Sequence, residues 1–414
     1  MMNNRMSGKE KLFTKPHAYG KPKAQKGLVL VLVTAALVAL AGVMALAIDV
    51  NHAFVNKTRL QNGVDAAALA AALVLDSGGS DADATAMVNS TLTKMATSTG
   101  NQAMDFSAAT ISVTFSNDPE TFPDPGYSSL IDDRFVRVAV SNYPLNAFFI
   151  AAFGINKNLA ASAVAGPGSS STQICNVVPM AVCAGSGGGT TGYVAGDLYP
   201  LKVASKNQSS LGPGNYQLLD FGSGASAVRS ALAGGYTGCL AIGDTVTTKP
   251  GNTVGPVGQG LNTRFGVYGG GGVNSSDYPP DIYVKEPDTL ATLDNDGNVV
   301  YTDTWGYDDY ELEAPNCSGA DCYLNSGGEP NRRMLSVPIV DCSGASGGTT
   351  TLQVEALGCF FLLQQAPTSN SGKQAVFGEY VEECSVTNSS SGNVSSGEGP
   401  YRIVLYDDPL SEES

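Results

Sequence analysis

Histidine is almost absent from this chain of 414 residues, which contains only His17 and His52. A Ser-His-Asp or Cys-His enzyme needs a histidine beside its nucleophile, and many zinc sites use histidine ligands. The chain beyond His52 therefore lacks the residue that both chemistries need. Gly344-Ala-Ser346-Gly-Gly348 fits the GxSxG pattern, but no histidine follows it. We predict a non-enzymatic protein with no catalytic residue.

Charged residues are also scarce, at 15% of the chain, and they are unevenly divided. Residues 1–27 hold seven basic groups against Glu10, whereas the rest of the chain holds 16 of the 23 basic groups and 37 of the 38 acidic groups. An acidic body repels phosphates, which argues against nucleic acid as a partner. The 49 glycines and the 43% hydrophobic content predict a loop-rich β protein with a sizeable core.

Phosphate-binding and metal-binding motifs are incomplete. Gly187–Gly192 fits GxGxxG, but a strand-like sequence follows it where a helix is needed, and Gly372-Lys373 lacks the next Ser or Thr of a Walker A motif. Asp294, Asp296 and Asn298 have calcium-loop spacing, but Val299 stands where that loop requires glycine. A solvated acidic hairpin is the favoured interpretation. The alternative is a weak surface calcium site that also uses nearby acids: Asp303, Asp308 or Asp309.

A membrane span is the strongest signal in the chain. Leu28–Ile48 carries no charge, and Thr34 is its only polar side chain. At ~1.5 Å per residue this helix spans roughly 30 Å, the thickness of a bilayer core. The basic cluster before the span predicts a cytoplasmic N-terminus and an exported body. Cleavage of a signal peptide after Ala47 is the alternative, but the apolar run is longer than a typical signal core.

The helical pattern continues beyond the span. Asn56–Leu75 is rich in Ala and Leu, and Gly78 and Gly79 end it. One helix from Leu28 to Leu75 is roughly 70 Å long, half in lipid and half outside. Small residues four apart in the span offer a seam for another helix: Ala35 and Ala39, Ala41 and Ala45. The alternative is that alanine is simply common in such spans.

The sequence AIDVNHAFVNKTRLQNGVDAAALAAAL, at the end of the span, resembles the N-terminal region of TadG-like proteins of Tad (Flp) pilus systems. The resemblance rests on an Asp-Val pair, an Arg-Leu-Gln-Asn step and an Ala-rich run. The family-motif residues are Asp49, Val50, Arg59, Leu60, Gln61, Asn62, Asp65, Ala66, Ala67, Ala68, Leu69, Ala70 and Ala71. It covers residues 26–75 well and continues more loosely to 166. It implies a role in building, anchoring or displaying a pilus.

Two features of related proteins are missing here. Pilin-like relatives that are cut by a prepilin peptidase carry a Glu five residues after a Gly, but Leu32 follows Gly27 at that distance. Some TadG proteins also carry a von Willebrand-type ion site with the pattern Asp-x-Ser-x-Ser. Asp341 and Ser343 begin such a pattern, but Ala345 stands in place of its second Ser. We interpret this partial pattern as a chance match.

Residues 76–165 predict a small α+β unit. Residues 81–100 have a helical pattern that Gly100 ends, and alternating apolar residues around 111–115 and 136–140 predict two strands. Apolar residues from Leu145 to Phe153 have helical spacing, and LAASAVAG predicts a third strand. The sequence GPGSSS at 166–171 is the predicted linker to the next domain.

Cysteine is confined to the part after the linker, and the even number predicts disulfides in an oxidising compartment. The candidates are Cys175, Cys183, Cys239, Cys317, Cys322, Cys342, Cys359 and Cys384. Eight cysteines leave the connectivity open, although sequence proximity favours two pairs: Cys175 with Cys183, and Cys317 with Cys322. Short strand-like runs separated by turns predict a mainly β domain, with a hairpin at Asp296-Gly297 and no helix of useful length.

The expected fold class is therefore α+β: a long transmembrane helix that extends into a small α+β unit, followed by a mainly β, disulfide-containing exported domain. The predicted segments are a basic tail (1–27), anchor (28–48), helix extension (49–75), α+β unit (76–165), linker (166–171) and β domain (172–414). We predict a non-enzymatic component of Tad/Flp pilus assembly or display in the bacterial inner membrane, with its bulk periplasmic or on the cell surface. Its expected partners are lipid and pilin-like helices, without a cofactor, a metal or nucleic acid. The alternative is an adhesin that binds a surface or glycan.

Overall fold

The structure is a computed structural model. It describes residues 28–99, 101, 104–131, 133–145, 149, 157–185, 192–203, 215–222, 224–319, 322–345, 348–369, 375–386, 389–391 and 399–411. Contacts divide the chain into two compact units. One unit comprises Met1–Val55 and Leu145–Lys157, and the other comprises Asn56–Pro144 and Asn158–Ser414.

The described residues contain helices concentrated near the N-terminus and short strands beyond them. The α-helices are α1 (Leu28–Asp76), α2 (Asp81–Thr97), α3 (Gly224–Ser230), α4 (Val254–Leu261) and α5 (Tyr307–Asn316). The first nine strands are β1 (Thr110–Ser116), β2 (Phe135–Leu145), β3 (Lys157–Pro167), β4 (Ser171–Cys175), β5 (Val182–Cys183), β6 (Leu198–Lys202), β7 (Asn215–Leu219), β8 (Cys239–Ala241) and β9 (Thr245–Pro250). The other strands are β10 (Thr292–Leu293), β11 (Val299–Val300), β12 (Met334–Val340), β13 (Thr351–Leu362), β14 (Val376–Val381), β15 (Glu383–Ser385), β16 (Ser389–Ser391), β17 (Gly399–Tyr401) and β18 (Ile403–Tyr406). Mixed helices and sheets with a mostly β C-terminal region confirm the predicted fold class.

The long first helix was predicted correctly. Helix α1 runs without interruption for 49 residues, because its apolar run and its Ala-rich extension contain no helix-breaking proline. Gly78 ends it in a left-handed conformation with φ of 78°, which glycine adopts without steric cost. The Arg134 guanidinium donates to the carbonyl oxygens of Leu75 and Gly79 and so satisfies groups that the helix end leaves open.

Helix α2 also confirms the prediction for residues 81–100. Its first turn is capped reciprocally, since the Ser80 hydroxyl accepts from the Asp83 N–H and the Asp83 carboxylate accepts from the Ser80 N–H. In α1, Gly63 lies against Met95 of α2, and a Cβ built at Gly63 would stand 2.0 Å from the Met95 sulfur. The absence of a side chain at this position therefore permits the close approach of the two helices.

The predicted strands of the small α+β unit form a four-stranded sheet in the order β1-β2-β3-β18. Strand β18 comes from the far end of the chain and pairs antiparallel with the second half of β3, with Ile403 opposite Pro167. Asp408 follows it and forms a two-bonded ion pair with Arg137 of β2, at 2.8 and 2.9 Å. Leu145, which was expected to begin a helix, ends β2, while most of the remaining residues of that expected helix lie outside the described chain.

The C-terminal region is built on a seven-stranded sheet. Its main path is β5-β12-β13-β14-β6, and β9 joins it by pairing with both β13 and β7. The core contains Leu335, Val337 and Phe360 from this sheet, together with Val257 and Leu261 of α4. The predicted hairpin at Asp296-Gly297 is confirmed, because β10 and β11 pair antiparallel on either side of it.

The expectation of no useful helix after residue 171 was wrong. Helix α4 has the sequence VGPVGQGL, whose glycines and proline disfavour a helix. Packing overrides that preference because Gly258 and Gly260 let the backbone approach its neighbours. Cβ atoms built there would meet the Pro367 carbonyl oxygen at 2.4 Å and the Arg229 carbonyl oxygen at 2.5 Å.

Four disulfides staple this region: Cys175–Cys239, Cys183–Cys342, Cys317–Cys322 and Cys359–Cys384. The expected pair Cys317–Cys322 is present, but the expected pair of Cys175 with Cys183 was wrong. The sheet explains the difference, since Cys175 stands directly opposite Cys239 where β4 pairs with β8. Cys183 ends β5, which pairs with β12 just before Cys342.

A buried cation lies beside the sheet. The Arg333 side chain has no exposed surface and donates to the carbonyl oxygens of Leu362 and Leu363 at 3.0 and 2.7 Å. Its guanidinium carbon lies 4.5 Å from the centre of the Phe265 ring and 4.4 Å from that of Phe361. Hydrogen bonds and aromatic faces together compensate for the loss of water around the charge.

Candidate functional site

The first half of α1 presents an apolar surface. Its large side chains are exposed; Leu30, Leu37 and Val43, for example, are 61–73% exposed. The only polar side chain in the predicted span, Thr34, donates to the Leu30 carbonyl oxygen at 2.8 Å and so satisfies its hydroxyl within the helix. By length and composition this helix can cross a membrane, and none of its most apolar 18-residue window is buried. An exposed surface of this kind is compatible with lipid or with another apolar helix.

Asp49 marks the end of the apolar run. Its side chain is almost fully buried, and one carboxylate oxygen accepts a hydrogen bond from the Phe149 backbone N–H at 2.9 Å. This family-motif carboxylate therefore attaches a distant segment of the chain to α1. The contact gives Asp49 a structural role at the point where the uncharged sequence ends.

Two polar residues in the second half of α1, the family-motif residue Gln61 and its neighbour Lys57, bind the small sheet. Lys57 and Gln61 donate to the carbonyl oxygens of Ala160 and Ser162 in β3, at 2.7 and 2.8 Å. These carbonyls belong to the half of β3 that β18 does not cover, since β18 pairs only with Val164–Pro167. Lys57 and Gln61 thus supply hydrogen-bond donors to β3 carbonyl oxygens that β18 does not reach.

The other motif residues divide between the core and the surface. Leu60 is completely buried, Asp65 accepts a 2.7 Å hydrogen bond from Gln61, and Arg59 is partly exposed. Asn62 is exposed. The motif therefore both fastens α1 to the sheet and leaves an amide on the outside of the helix, where it is accessible to a partner.

An acidic cavity of about 520 Å³ lies beside the C-terminal end of α1. Its walls come from the ends of α1 and β14, from α5, and from β15 and β17. Seven carboxylates line it: Asp76, Asp133, Asp308, Glu311, Glu379, Glu382 and Glu383. Arg134 is the basic residue among the described lining residues, and its guanidinium already binds the end of α1. The cavity is consequently strongly negative.

Tyrosine hydroxyls hold two of these carboxylates. Tyr401 donates to Asp76 Oδ1 at 2.6 Å, and Tyr307 donates to Glu311 Oε1 at 2.7 Å. Burial raises the pKa of Asp76, while the Ser385 and Tyr401 hydroxyls and the Arg134 charge oppose that rise. The Oδ2 atom of Asp76 is fully buried and has no hydrogen-bond partner among the described residues.

Glu379 is the second perturbed carboxylate. Its Oε2 accepts from the Tyr307 backbone N–H at 2.9 Å, and Gly306 lies directly against it. Burial raises the pKa of Glu379 to about 7, opposed by the Tyr307 hydrogen bond and assisted by the charges of Asp308 and Asp309. This group therefore changes its charge near neutral pH.

Two of the incomplete motifs stabilise their own turns in the described structure. Asp294 accepts from the backbone N–H groups of Asp296 and Asn298 and thus stabilises its own hairpin. The Asp341 carboxylate similarly accepts a hydrogen bond from the Ser343 backbone N–H at 2.8 Å. Ser346 and most of Gly187–Gly192 lie outside the described residues. Within the described chain, no three His, Cys, Asp or Glu side chains are placed to hold a metal ion.

Sequence inspection did not find the acidic cavity. Its key residues, Asp76, Arg134, Tyr307, Glu379 and Tyr401, are spread over more than three-quarters of the chain and share no motif. The only available signal was the general excess of acids after residue 27. That excess predicts a negative surface but does not locate it.

Residues 27–74 match the Tad family model, described as Flp pilus-assembly TadE/G-like. The match covers the apolar run and the motif that fastens α1 to the sheet, and it confirms the resemblance drawn from these residues. No curated protein and no solved structure matches the chain. The family segment supports a Tad/Flp pilus-related role, and together with the apolar helix it indicates a membrane-anchored protein.

Proposed function

We propose that this protein is a non-enzymatic, membrane-anchored structural component of a Tad/Flp pilus apparatus. The observation that carries the proposal is the coincidence of the family match at 27–74 with one unbroken helix, which is apolar and exposed at its start and fastened to a sheet at its end. Such a helix is suited to anchoring a folded body to a membrane. The scarcity of histidine supports the non-enzymatic part of the proposal.

The proposed orientation places the basic tail in the cytoplasm and the body outside, across the inner membrane of a bacterium. It is supported by the seven basic groups before the span and by the cysteines that lie only after it. The proposed partners are lipid and the apolar or pilin-like helices of the same apparatus. The exposed Asn62 of the motif provides a polar contact for such a helix.

Cysteine labelling tests the orientation. A membrane-impermeant maleimide should label Leu130→Cys in cells with a permeable outer membrane, because Leu130 is 92% exposed in the body. Ser7→Cys, in the basic tail, should react only after the inner membrane is opened with detergent. All native cysteines are disulfide-bonded, so they contribute no background. Labelling of Ser7→Cys without detergent would contradict the orientation.

Genetics tests the role. Deletion of the gene should abolish or sharply reduce pili, and the wild-type gene should restore them. A second strain should carry a Gly/Ser linker in place of residues 172–398, which keeps β18 for its pairing with β3. If this strain makes normal pili but no longer attaches, the protein is an adhesin on a Tad-type anchor. Normal piliation in the complete deletion would refute the structural role. Immunogold labelling of sheared pili then separates a fibre component from an assembly factor.

A further inference from the structure

The four disulfides differ in what holds their cysteines together. Cys317 and Cys322 are five positions apart, and neither belongs to a strand. Cys317 directly follows α5, and Cys322 begins a short segment, 322–325, that runs beside residues 282–284. We propose that this disulfide is a reversible redox site, which an external dithiol opens while the other three disulfides stay closed. The inference concerns thiol chemistry alone, so it stands or fails separately from the proposed pilus role.

Backbone pairing holds the cysteines of two other disulfides together. Cys175 and Cys239 stand opposite each other where β4 pairs with β8. Cys183 of β5 pairs with Val340 of β12, two positions before its disulfide partner Cys342. If such a bond is reduced, the paired strands keep the two sulfur atoms close together. Because thiol–disulfide exchange is reversible, the freed thiols then re-form their bond and expel the reductant.

Burial protects the third of these disulfides. Cys359 and Cys384 are only 0% and 4% exposed, and exchange requires that a thiolate reach a sulfur atom. Cys317 and Cys322 are both partly exposed. Access and the absence of strand pairing at these two residues together single out Cys317–Cys322 as the disulfide that a reductant opens.

The two ends of α5 are held unequally. At its start, the Tyr307 and Tyr310 rings lie 5.3 and 5.0 Å from the Phe361 ring, measured between centres. Its last turn is weak, because Pro315 lacks the N–H that a helical residue donates to the fourth carbonyl before it. That turn also contains Glu313 and no basic residue, which is unfavourable at the negative end of the helix dipole.

Glu313 marks the point where the side-chain contacts of α5 with the body end. It accepts hydrogen bonds from Lys285 Nζ at 2.8 Å and from the Trp305 indole at 3.1 Å. Three residues later, Asn316 is exposed, and its amide donates back into the helix, to the Leu312 carbonyl oxygen at 2.7 Å. The disulfide therefore fastens a helix end that its own sequence stabilises poorly.

The Cys322 side of the disulfide is fixed by the backbone. The Val284 N–H donates to the Tyr323 carbonyl oxygen at 3.1 Å, and the Asn325 N–H donates to the Ile282 carbonyl oxygen at 2.7 Å. Once the disulfide is open, the last residues of α5 unwind, whereas Cys322 stays in place. The two thiols then meet less often, and this lower effective concentration slows the re-formation of their bond.

The exchange conserves atoms and electrons. A thiolate of the dithiol attacks the sulfur of one cysteine, forms a mixed disulfide with it and releases the other cysteine as a thiolate. The second thiol of the dithiol then attacks the mixed disulfide and frees the first cysteine. Two electrons and two protons thereby pass to Cys317 and Cys322, and the dithiol leaves as a disulfide.

Stepwise reduction of the full chain in an uncharged detergent tests this proposal. Dithiothreitol is the probe, N-ethylmaleimide traps the free thiols of the folded chain, and peptide mass spectrometry identifies each labelled cysteine. We expect Cys317 and Cys322 to be labelled at least about tenfold faster than any other cysteine, because their disulfide is both accessible and slow to re-form. Amide hydrogen exchange should increase at residues 314–319 and stay unchanged in the first turn of α5.

Variants separate the disulfide from the helix end. Replacing Cys317→Ser and Cys322→Ser together should remove the fast labelling phase and leave the other six cysteines closed during it. Pro315→Ala strengthens the last turn of α5, so it should lower the fraction reduced at a given dithiothreitol concentration severalfold. Pro125→Ala, at an exposed loop position, is the matched control and should be reduced as the wild type is.

Three results would overturn the proposal. The first is reduction of another disulfide before Cys317–Cys322 or at the same rate. The second is a Cys317–Cys322 bond that stays closed until the whole chain unfolds. The third is a Pro315→Ala variant that is reduced as readily as the wild type, since the helix end would then have no part in keeping the thiols apart.

Discussion

Replacing Glu379 by glutamine should stabilise the protein above neutral pH. The ordinary pKa of a glutamate is 4.5, and the pKa of Glu379 in the folded chain is about 7. Because the pKa of Glu379 is higher in the folded than in the unfolded chain, protonated Glu379 contributes to the free energy of unfolding. This contribution is complete below pH 4.5 and is lost as the pH rises through 7. Above this window the folded protein carries a charge that burial disfavours.

The full shift corresponds to about 3 kcal/mol of unfolding free energy. Solvent screening of the partly accessible carboxylate reduces the expected gain of Glu379→Gln at pH 8 to about 1–2 kcal/mol. At pH 5 the variant and the wild type should be nearly equal, since Glu379 is then mostly protonated and glutamine can still accept from the Tyr307 N–H.

Fluorescence of the only tryptophan provides the assay. Trp305 is buried and adjoins Gly306, which lies against the Glu379 carboxylate. Urea unfolding of the full chain in an uncharged detergent, followed by Trp305 emission with the disulfides intact, should be measured from pH 5 to 8. Glu355→Gln is the control for loss of an exposed charge. Equal stability of Glu379→Gln and the wild type at pH 8, or a constant difference across the whole range, would refute the argument.

Three other substitutions test how the fold is held together. Gln61→Ala should lower the unfolding free energy by about 1–2 kcal/mol, because it leaves the Ser162 carbonyl without its donor. Removing Cys183–Cys342, which are 159 residues apart, by replacing both residues with alanine should cost about 4–5 kcal/mol in a chain-entropy model. Arg333→Lys should cost about 3 kcal/mol or more, because an ammonium cannot satisfy the same set of buried carbonyls or stack on Phe361.

Each of these predictions has a matched control, with urea unfolding as the measurement. Asn62→Ala, next to Gln61 but exposed, should change stability by less than about 0.5 kcal/mol. Removing Cys317–Cys322, only five residues apart, should cost about 2 kcal/mol in the same entropy model. Arg229→Lys changes a partly exposed arginine whose guanidinium donates to Gln259 and Gly271, and it should cost clearly less than Arg333→Lys. If a control variant lowers the free energy of unfolding as much as the variant that it is matched with, the contact in question does not contribute the stability assigned to it.

Local signals predicted the N-terminal part of the fold well. The uncharged run and the Ala-rich extension specify α1 through composition alone, and Gly78 supplies its end. Hydrogen bonds within the helix are local, so a short stretch of sequence contains what is needed to predict it.

Long-range geometry was not predictable in the same way. Cys175 bonds Cys239 because β4 and β8 are neighbours in a sheet, and nothing near Cys175 encodes that pairing. Helix α4 forms because Gly258 and Gly260 fit against distant backbone atoms, which a propensity scale does not include. The acidic cavity is a further example, since it exists only where separate segments converge.

The position of β18 has a consequence for how the protein is made. A ribosome produces β3 more than 200 residues before the strand that completes its sheet, as shown by the contact between Tyr406 and Pro167, 239 positions apart. During synthesis and export, the edge of β3 at Val164–Pro167 stays without its neighbouring strand until Ile403–Tyr406 has been made. A stop codon shortly before Ile403 would thus deprive the four-stranded sheet of its outer strand, even though β1, β2 and β3 had been translated correctly.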